Sequence, residues 1–562
     1  MSRRVGEWAS GRVGQQVSPL RPFAPSLFRR LIWFAVFLLA AILALLPLPA
    51  LALGLFYSLL ILLALIHPIF GLYWAILSVP VQEIAHLPGG VSYTQGAMVL
   101  ALGAWALRVL AHPERPILIT PKNAKSAKVQ GKTIAHPSSS RSWRSWWLVF
   151  LARKRESDWP GVAGHFWLWS VFLWALLLAA ANSPYSRAEG LKETLRWSEA
   201  FLTWLMVIVL ARRPWQIAGL IACLLIAPAA EAALGLAQFI TGNGPPSFRI
   251  APSLPFVRAY GTIGQPNSFA GYMNMAWPLA LALAVGVTLA LHRTSRSRGR
   301  AGEWVSGRAP QQTPADRLGT PSPRHPVALS LALWAVTLLL VAALAASLSR
   351  GAWVGAACGA AGMALALGRR ARRRALLALG VAAVALGLGA AGLLPAVLAD
   401  RLASITRYLA IFDAGSIVVT PQNFAVVERM AQMQAGWRMF LAHPLSGVGP
   451  GNYTLAYPAF AVGTWYASRG HAHNYYIHMA AEAGAIGALA YLALLSGVIR
   501  QAVVTLRRQN RTIWRSAAIG CCGIIAAVAG HDLFENLHVL SIGIQLGALW
   551  GLLVILEKPV AR

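Results

Sequence analysis

Acidic side chains are scarce in this chain of 562 residues: Asp and Glu number 18 against 49 Lys and Arg, and charged residues of every kind make up only 12%. A soluble domain carries about 25%, so an ordinary water-soluble fold is excluded. Cysteine is scarcer still. The four present, Cys223, Cys358, Cys521 and Cys522, all fall inside apolar stretches, and an adjacent pair cannot easily bridge distant segments. Neither a disulfide framework nor a zinc-ligand spacing is present. What abounds is apolar, at 57% of the chain.

The apolar content is arranged in runs near the length of a membrane-spanning helix, about 20 residues, broken by basic clusters and by Pro and Gly. Fourteen can be drawn, at 31–48, 50–66, 68–82, 94–111, 163–181, 196–211, 214–239, 266–291, 327–348, 351–368, 375–397, 473–499, 513–530 and 537–556. The first are short, so about 12–14 spans are expected. In a soluble chain a net charge of +31 would point to nucleic acid. Here the Lys and Arg residues sit between alternate apolar runs, at 3–30, 115–155, 212–213, 293–324, 369–374 and 500–515, as cytoplasmic loops do. The charge therefore reads as topology, with no nucleic-acid partner and both termini cytoplasmic. The run at 31–46 has the length of a signal-peptide core, but apolar sequence continues to Ile66, so a retained anchor is expected.

The expected fold is all-α, a polytopic integral membrane protein with one large extracytoplasmic loop. Its parts are a basic tail (1–30), spans (31–111), a basic linker (112–162), spans (163–291), a second basic linker (292–326), spans (327–397), the large loop (398–472), C-terminal spans (473–556) and a short tail (557–562). The linkers are too rich in Ser, Pro, Lys and Arg to bury a core. A segment at 6–16 nearly recurs at 302–312, too short for a solenoid unit.

The large loop should hold short helices at 402–411 and 424–441, followed by His443-Pro-Leu-Ser-Gly447-Val-Gly449-Pro-Gly451-Asn452. In it Arg401, Arg407, Arg429, Arg438 and Arg469 outnumber Asp400, Asp413 and Glu428, an excess that fits an anionic ligand. Arg196 and Arg258 stand on other outward segments, and guanidinium forks suit phosphate and diphosphate oxygens. Any one of these arginines also fits a plain role, snorkelling to lipid headgroups. Arg350 differs: Ser347-Leu-Ser349-Arg350-Gly351 joins two spans with almost no loop. A charge so near hydrocarbon is costly without an anionic partner, so it is expected to point into the bundle.

The strongest polar cluster is His471-Ala-His473-Asn474-Tyr-Tyr-Ile-His478-Met-Ala-Ala-Glu482-Ala-Gly484-Ala-Ile-Gly487, at the mouth of a span. Neutral histidine takes a proton from a hydroxyl near pH 7 with little tuning. His473, followed by Asn474 as an orienting group, is the candidate base. His471 also fits a helix cap, and His478 a pairing with Glu482 one turn later. A metal held by His471 and His473 with His531, Asp532, Glu535 or His538 is an alternative, without a recognised ligand spacing.

The spacing His473-Asn474, nine residues, Gly484, two residues, Gly487 resembles the signature of the O-antigen ligase and O-antigen polymerase superfamily. Gly261-Thr-Ile-Gly264-Gln-Pro-Asn267-Ser-Phe-Ala-Gly271, Ser347-Leu-Ser-Arg350-Gly351 and the run at 443–452 are also similar to it, so the resemblance covers roughly 160–560. It implies a GT-C-like glycosyltransferase of the bacterial cytoplasmic (inner) membrane with a large outer loop over the site. The implied donor is an undecaprenyl-diphosphate-linked glycan and the acceptor a glycan, lipid or protein. His473 corresponds to the essential His and Arg350 to a diphosphate-binding Arg, with Arg196, Arg258, Arg429, Asn267, Asn452 and Asn474 as substrate-binding candidates and His471, His478 and Glu482 as supports. The basic linkers depart from the family pattern.

Topology points the same way, because nucleotide sugars are cytosolic and a sugar used on the outer face must arrive on a lipid. The expected reaction is an inverting displacement without cofactor or metal. The outward segments hold no Asp-x-Asp pair. A polymerase joining lipid-linked repeats differs only in acceptor. The reading from another class is a transporter with intramembrane Glu231 as its ion site.

Overall fold

The computed structural model describes residues 48–82, 86–87, 91–111, 160–250, 254–303, 324–390, 411–420, 423–539 and 541–557. Contacts separate residues 1–63 from residues 64–562. In the first unit, residues 48–63 belong to an apolar helix, α1 (Leu48–Ile66).

In the second unit, α2 (Ile69–Ser78) and α3 (Tyr93–Ala111) flank a two-residue antiparallel ladder of β1 (His86–Leu87) with β2 (Val91–Ser92). α4 (Pro160–Ala181), α5 (Arg187–Leu210) and α6 (Pro214–Thr241) follow. Their starts obey local chemistry. Ser186 caps α5 by accepting from the Glu189 backbone N–H at 3.3 Å, and α6 opens on Pro214, whose missing N–H costs nothing at a first helical position. The run at 266–291, expected as one span, forms α7 (Pro266–Asn274) and α8 (Trp277–Glu303). Next come α9 (Arg324–Ala346), α10 (Arg350–Ala366) and α11 (Arg369–Ala390). The large loop contains α12 (Phe424–Ala442) and α13 (Tyr453–Phe460), and the chain closes with α14 (Tyr475–Arg508), α15 (Thr512–His531) and α16 (Ile542–Leu556).

Among the described residues the fold is thus helical apart from the short β1–β2 ladder, and polytopic. Among these described residues, helices occupy thirteen of the fourteen expected spans, and six are long and apolar enough to cross a membrane. The expected span at 31–48, all but its last residue, lies outside the described residues, as do most of both basic linkers, the recurring segment at 6–16 and 304–312, the expected helix at 402–410 and with it Arg401 and Arg407. α8 runs to Glu303, past the expected boundary at 291.

Membrane helices associate through close packing because lipid tails compete for apolar surface. α15 follows that rule: Ala526 and Ala527 lie against Gly362, Gly359 and Gly355 of α10. Large aromatics fill the other half of the core, with Trp169, Phe172, Trp197, Trp550 and Tyr491 in mutual ring contact. On α4 the stripe Trp167, Val171 and Trp174 is exposed, at the spacing of one helical face and as contact with lipid requires.

α14 is broken at Gly484, which sits at φ 62, ψ −167. Only glycine takes this conformation without strain, and a Cβ there would lie 2.2 Å from the Leu445 carbonyl oxygen. The break frees backbone groups that lipid cannot satisfy, and residues 443–449 of the loop satisfy them. Val448 and Gly449 N–H donate to the carbonyls of Ala481 and Glu482 at 2.9 and 2.8 Å, while Ala485 and Ile486 N–H donate to those of Pro444 and Leu445 at 2.8 and 3.3 Å. The Pro/Gly-rich run and the glycine signature, remote in sequence, are two halves of one joint.

Candidate active site

Glu535 lies in the turn between α15 and α16, and its side chain is 6% exposed. Four donors converge on it. His471 Nε2 stands 2.8 Å and His473 Nδ1 3.2 Å from Oε1. Asn267 Nδ2 donates to Oε2 at 2.6 Å, and the Arg429 guanidinium stands 3.4 Å from the same oxygen while donating to the Phe534 carbonyl at 3.1 Å. Asn267 is itself oriented, since its Oδ1 accepts from Arg258, whose Nε donates to the Ser347 carbonyl at 2.8 Å. α7, α12 and the approach to α14 therefore meet on the carboxylate carried by the turn after α15, and the α9–α10 turn is linked to it through Arg258 and Asn267.

The hydrogen bonds fix the two imidazoles. His471 Nδ1 accepts the His473 backbone N–H at 3.1 Å, so its proton sits on Nε2, facing Glu535. Burial alone would push the Glu535 carboxyl up, but His471 and His473 against it outweigh burial and hold it well below the usual carboxylate range. An ionised carboxylate only accepts, so His473 donates from Nδ1. Its Nε2 then carries a lone pair. Burial pushes His473 down to about 4, against the upward pull of Glu535, and keeps the ring neutral.

Backbone strain marks the same place. Among the described residues, two non-glycine residues hold positive φ: His473 at 52° and Leu348 at 50°. Such strain persists only where surrounding structure enforces it and clusters at functional sites. Leu348 lies in the tight turn that delivers Arg350 as the first residue of α10. The next residue, Gly351, packs against Phe534 and His531, which sets the Arg350 turn beside the turn that carries Glu535.

Other expected site residues stand elsewhere. Arg196 is half exposed and pairs with Glu193 one turn back at 2.9 Å. Asn452, fully buried, spends its side chain on backbone: Oδ1 accepts from Ser186 N–H at 3.0 Å, and Nδ2 donates to the Ser186 and Pro450 carbonyls at 2.9 and 3.1 Å. Asn474 caps α14, accepting from Ile477 N–H at 3.0 Å, and its Nδ2 donates to the Leu533 carbonyl at 3.2 Å. It therefore holds the His473 segment against the Glu535 turn. Glu482 accepts the N–H groups of Gly451 and Tyr453 at 2.8 and 2.9 Å, and His478 Nε2 lies 3.6 Å from it; the pair anchors the loop. Glu231 accepts from Thr262 N–H and Oγ1 at 2.8 and 2.6 Å, tying α6 to the segment before α7.

Sequence reasoning named Glu535 only as a possible metal ligand. The signal for it lay in His531-Asp-Leu-Phe-Glu535-Asn-Leu-His538, a second polar cluster between apolar runs. Ligand atoms of His471, His473 and Glu535 all lie within 4.8 Å of one another, a grouping that has the donor set of a divalent-metal site. The protons on His471 Nε2 and His473 Nδ1 already satisfy Glu535, and the Arg429 cation beside it opposes a second positive charge. Hydrogen bonding accounts for the cluster without an ion.

No curated protein matches the chain. From the second half of α9 to the middle of α14, residues 335–492 match the family model described as O-antigen ligase. Arg350, Arg429, His471 and His473 fall within that match and Glu535 lies beyond it; the matched family is the one that the motif at His473 resembles.

Proposed function

We propose that the protein is a membrane glycosyltransferase of the O-antigen ligase type, moving a glycan from an undecaprenyl-diphosphate carrier to an acceptor hydroxyl on the outer face of the cytoplasmic membrane. One observation carries the reading. His473 donates Nδ1–H to the buried carboxylate of Glu535, which leaves Nε2 as an oriented, neutral base.

In this mechanism the acceptor oxygen attacks the anomeric carbon from the face opposite the diphosphate. His473 Nε2 takes the hydroxyl proton, the bond from the anomeric carbon to the diphosphate oxygen breaks, and the configuration inverts. Glu535 holds the imidazole in the productive tautomer and balances the imidazolium that forms, a role in which positioned acid–base groups contribute about 10²–10⁴-fold. Arg350 neutralises the departing diphosphate, and preorganised cations act most strongly where charge develops. Arg429 and Arg258, fixed around Glu535 and Asn267, add positive potential. The acceptor distinguishes a ligase from a polymerase, and the resemblance favours a ligase.

Glu231, the ion site of the transporter reading, accepts from Thr262 N–H and Oγ1, which fits a hydrogen-bonded packing role. The decisive experiment incubates purified protein in detergent with a defined undecaprenyl-diphosphate glycan and an acceptor. Conversion to a longer or re-attached glycan is expected from wild type and none from His473→Ala; full turnover by the variant would remove His473 from the mechanism.

A further inference from the structure

α12 belongs to the large loop, yet one of its faces is apolar and uncovered. Trp437, Phe440 and Leu441 recur at the spacing of a single helical stripe, and the row continues past the helix end into Pro444 and Leu445. Trp437 is 48% exposed, Leu441 60% and Leu445 68%. The Trp437 and Phe440 rings touch, with centroids 5.2 Å apart. The opposite face of the helix, with Ala431, Ala435 and Met439, packs into the core of the loop itself. A contiguous row of large exposed apolar side chains marks an interaction surface.

The row is continuous with the lipid-facing side of α14. The Leu445 carbonyl accepts the Ile486 N–H at 3.3 Å. From Ile486 the exposed Leu489 and Leu492 continue along α14, a helix long and apolar enough to cross a membrane. The height of the row follows from the basic end of that helix. Crossing the hydrocarbon core takes about 20 helical residues; counted back from Arg500 that length ends at about residue 480, and from Arg507 at about residue 487. These two limits bracket the break at Gly484. The joint with residues 443–449 thus falls where hydrocarbon gives way to headgroups, the level at which tryptophan concentrates.

We infer that the C-terminal half of α12, with Pro444 and Leu445, is an interfacial anchor whose partner is the bilayer: Trp437, Phe440, Leu441 and Leu445 lie in the boundary between headgroups and acyl chains, on the side opposite the basic end of α14. Amphipathic helices bury their apolar face about 5–10 Å into that boundary. The other half of α12 is suited to water and to the site, since Glu428 pairs with the half-exposed Arg469 at 2.6 Å and Arg429 reaches Glu535. One helix therefore links the lipid surface to the candidate site, and anchoring its far end fixes the height of Arg429. The inference is independent of the reaction proposed above.

The test places the photo-cross-linking residue benzoylphenylalanine at Trp437, Leu441 or Leu445 of the full chain, in nanodiscs of phosphatidylethanolamine and phosphatidylglycerol, and reads the adducts by mass. Leu489 is the lipid reference. Ala425, exposed one turn before Glu428 on the same helix, is the water reference. All five side chains are exposed, so their replacement removes no core packing. Phospholipid adducts at Trp437 and Leu441 are expected at a yield close to that at Leu489 and about tenfold or more above that at Ala425. Equal yields at Trp437, Leu441 and Ala425 overturn the inference. So does cross-linking of one copy of the chain to another at these positions, which assigns the face to a dimer.

Discussion

His473 Nδ1 stands 3.2 Å from Glu535 Oε1, although 62 positions separate the two residues along the chain. The contact turns a histidine at the mouth of a span into an oriented dyad, and it makes Glu535 the residue whose loss should be felt most after His473 itself.

Glu535→Gln should lower the transfer rate about 10²-fold or more, with the donor KM changed little. His473→Ala should do at least as much, and the double variant should be no worse than His473→Ala alone, because the residues act as a unit. Multiplicative losses in steady-state rates would show that Glu535 works elsewhere.

Because burial holds His473 near 4, the base keeps its lone pair across the neutral range. The sign follows: raising pH above about 6 brings no gain from this group, and activity falls only as pH drops through the lowered value and Nε2 is protonated. An ordinary histidine would place the acid limb near 6.5. A pH profile of kcat/KM taken on protein checked for folding at each pH separates the two.

Chelation offers a third check. With hydrogen bonds accounting for the contacts among His471, His473 and Glu535, prolonged EDTA treatment should leave transfer unchanged. A collapse that zinc restores would convert His473 from a base into a ligand.

Asn452 should prove structural. Removing its side chain in Asn452→Ala strands the half-buried Ser186 N–H, at a cost of about 1 kcal/mol, read as a lower melting temperature. The protein that survives should turn over at the wild-type rate; a selective rise in donor KM would return Asn452 to the substrate site.

Gly484→Ala combines a left-handed φ with a carbonyl oxygen 2.2 Å from the added carbon. It should destabilise by well over about 1 kcal/mol, whereas Gly380→Ala, where nothing lies within 4 Å, should be near neutral. Thermal unfolding of both variants in the same detergent compares them.

The spans were legible because apolar run length and basic clusters report directly on a membrane. The histidine was legible because a titratable group stands out where hydrocarbon begins. Glu535 was not, since its partners come from three separated segments, and pairing across a bundle leaves no local period. The break at Gly484 was hidden for a different reason: a glycine inside an apolar run reads the same whether the helix bends or passes straight through. Asn452 and Asn474 carried the motif but serve backbone, because a buried amide satisfies loop N–H and C=O groups as readily as it meets a ligand.

The joint between residues 443–449 and the broken α14 has a consequence for engineering. A loop whose N–H groups complete a helix cannot be exchanged alone: a graft carrying only 411–472 from a relative would leave α14 with unmet carbonyls, and one carrying only the histidine segment would leave the loop without its anchor. Acceptor range in chimeras should therefore travel with 443–487 as one cassette, inherited whole or not at all.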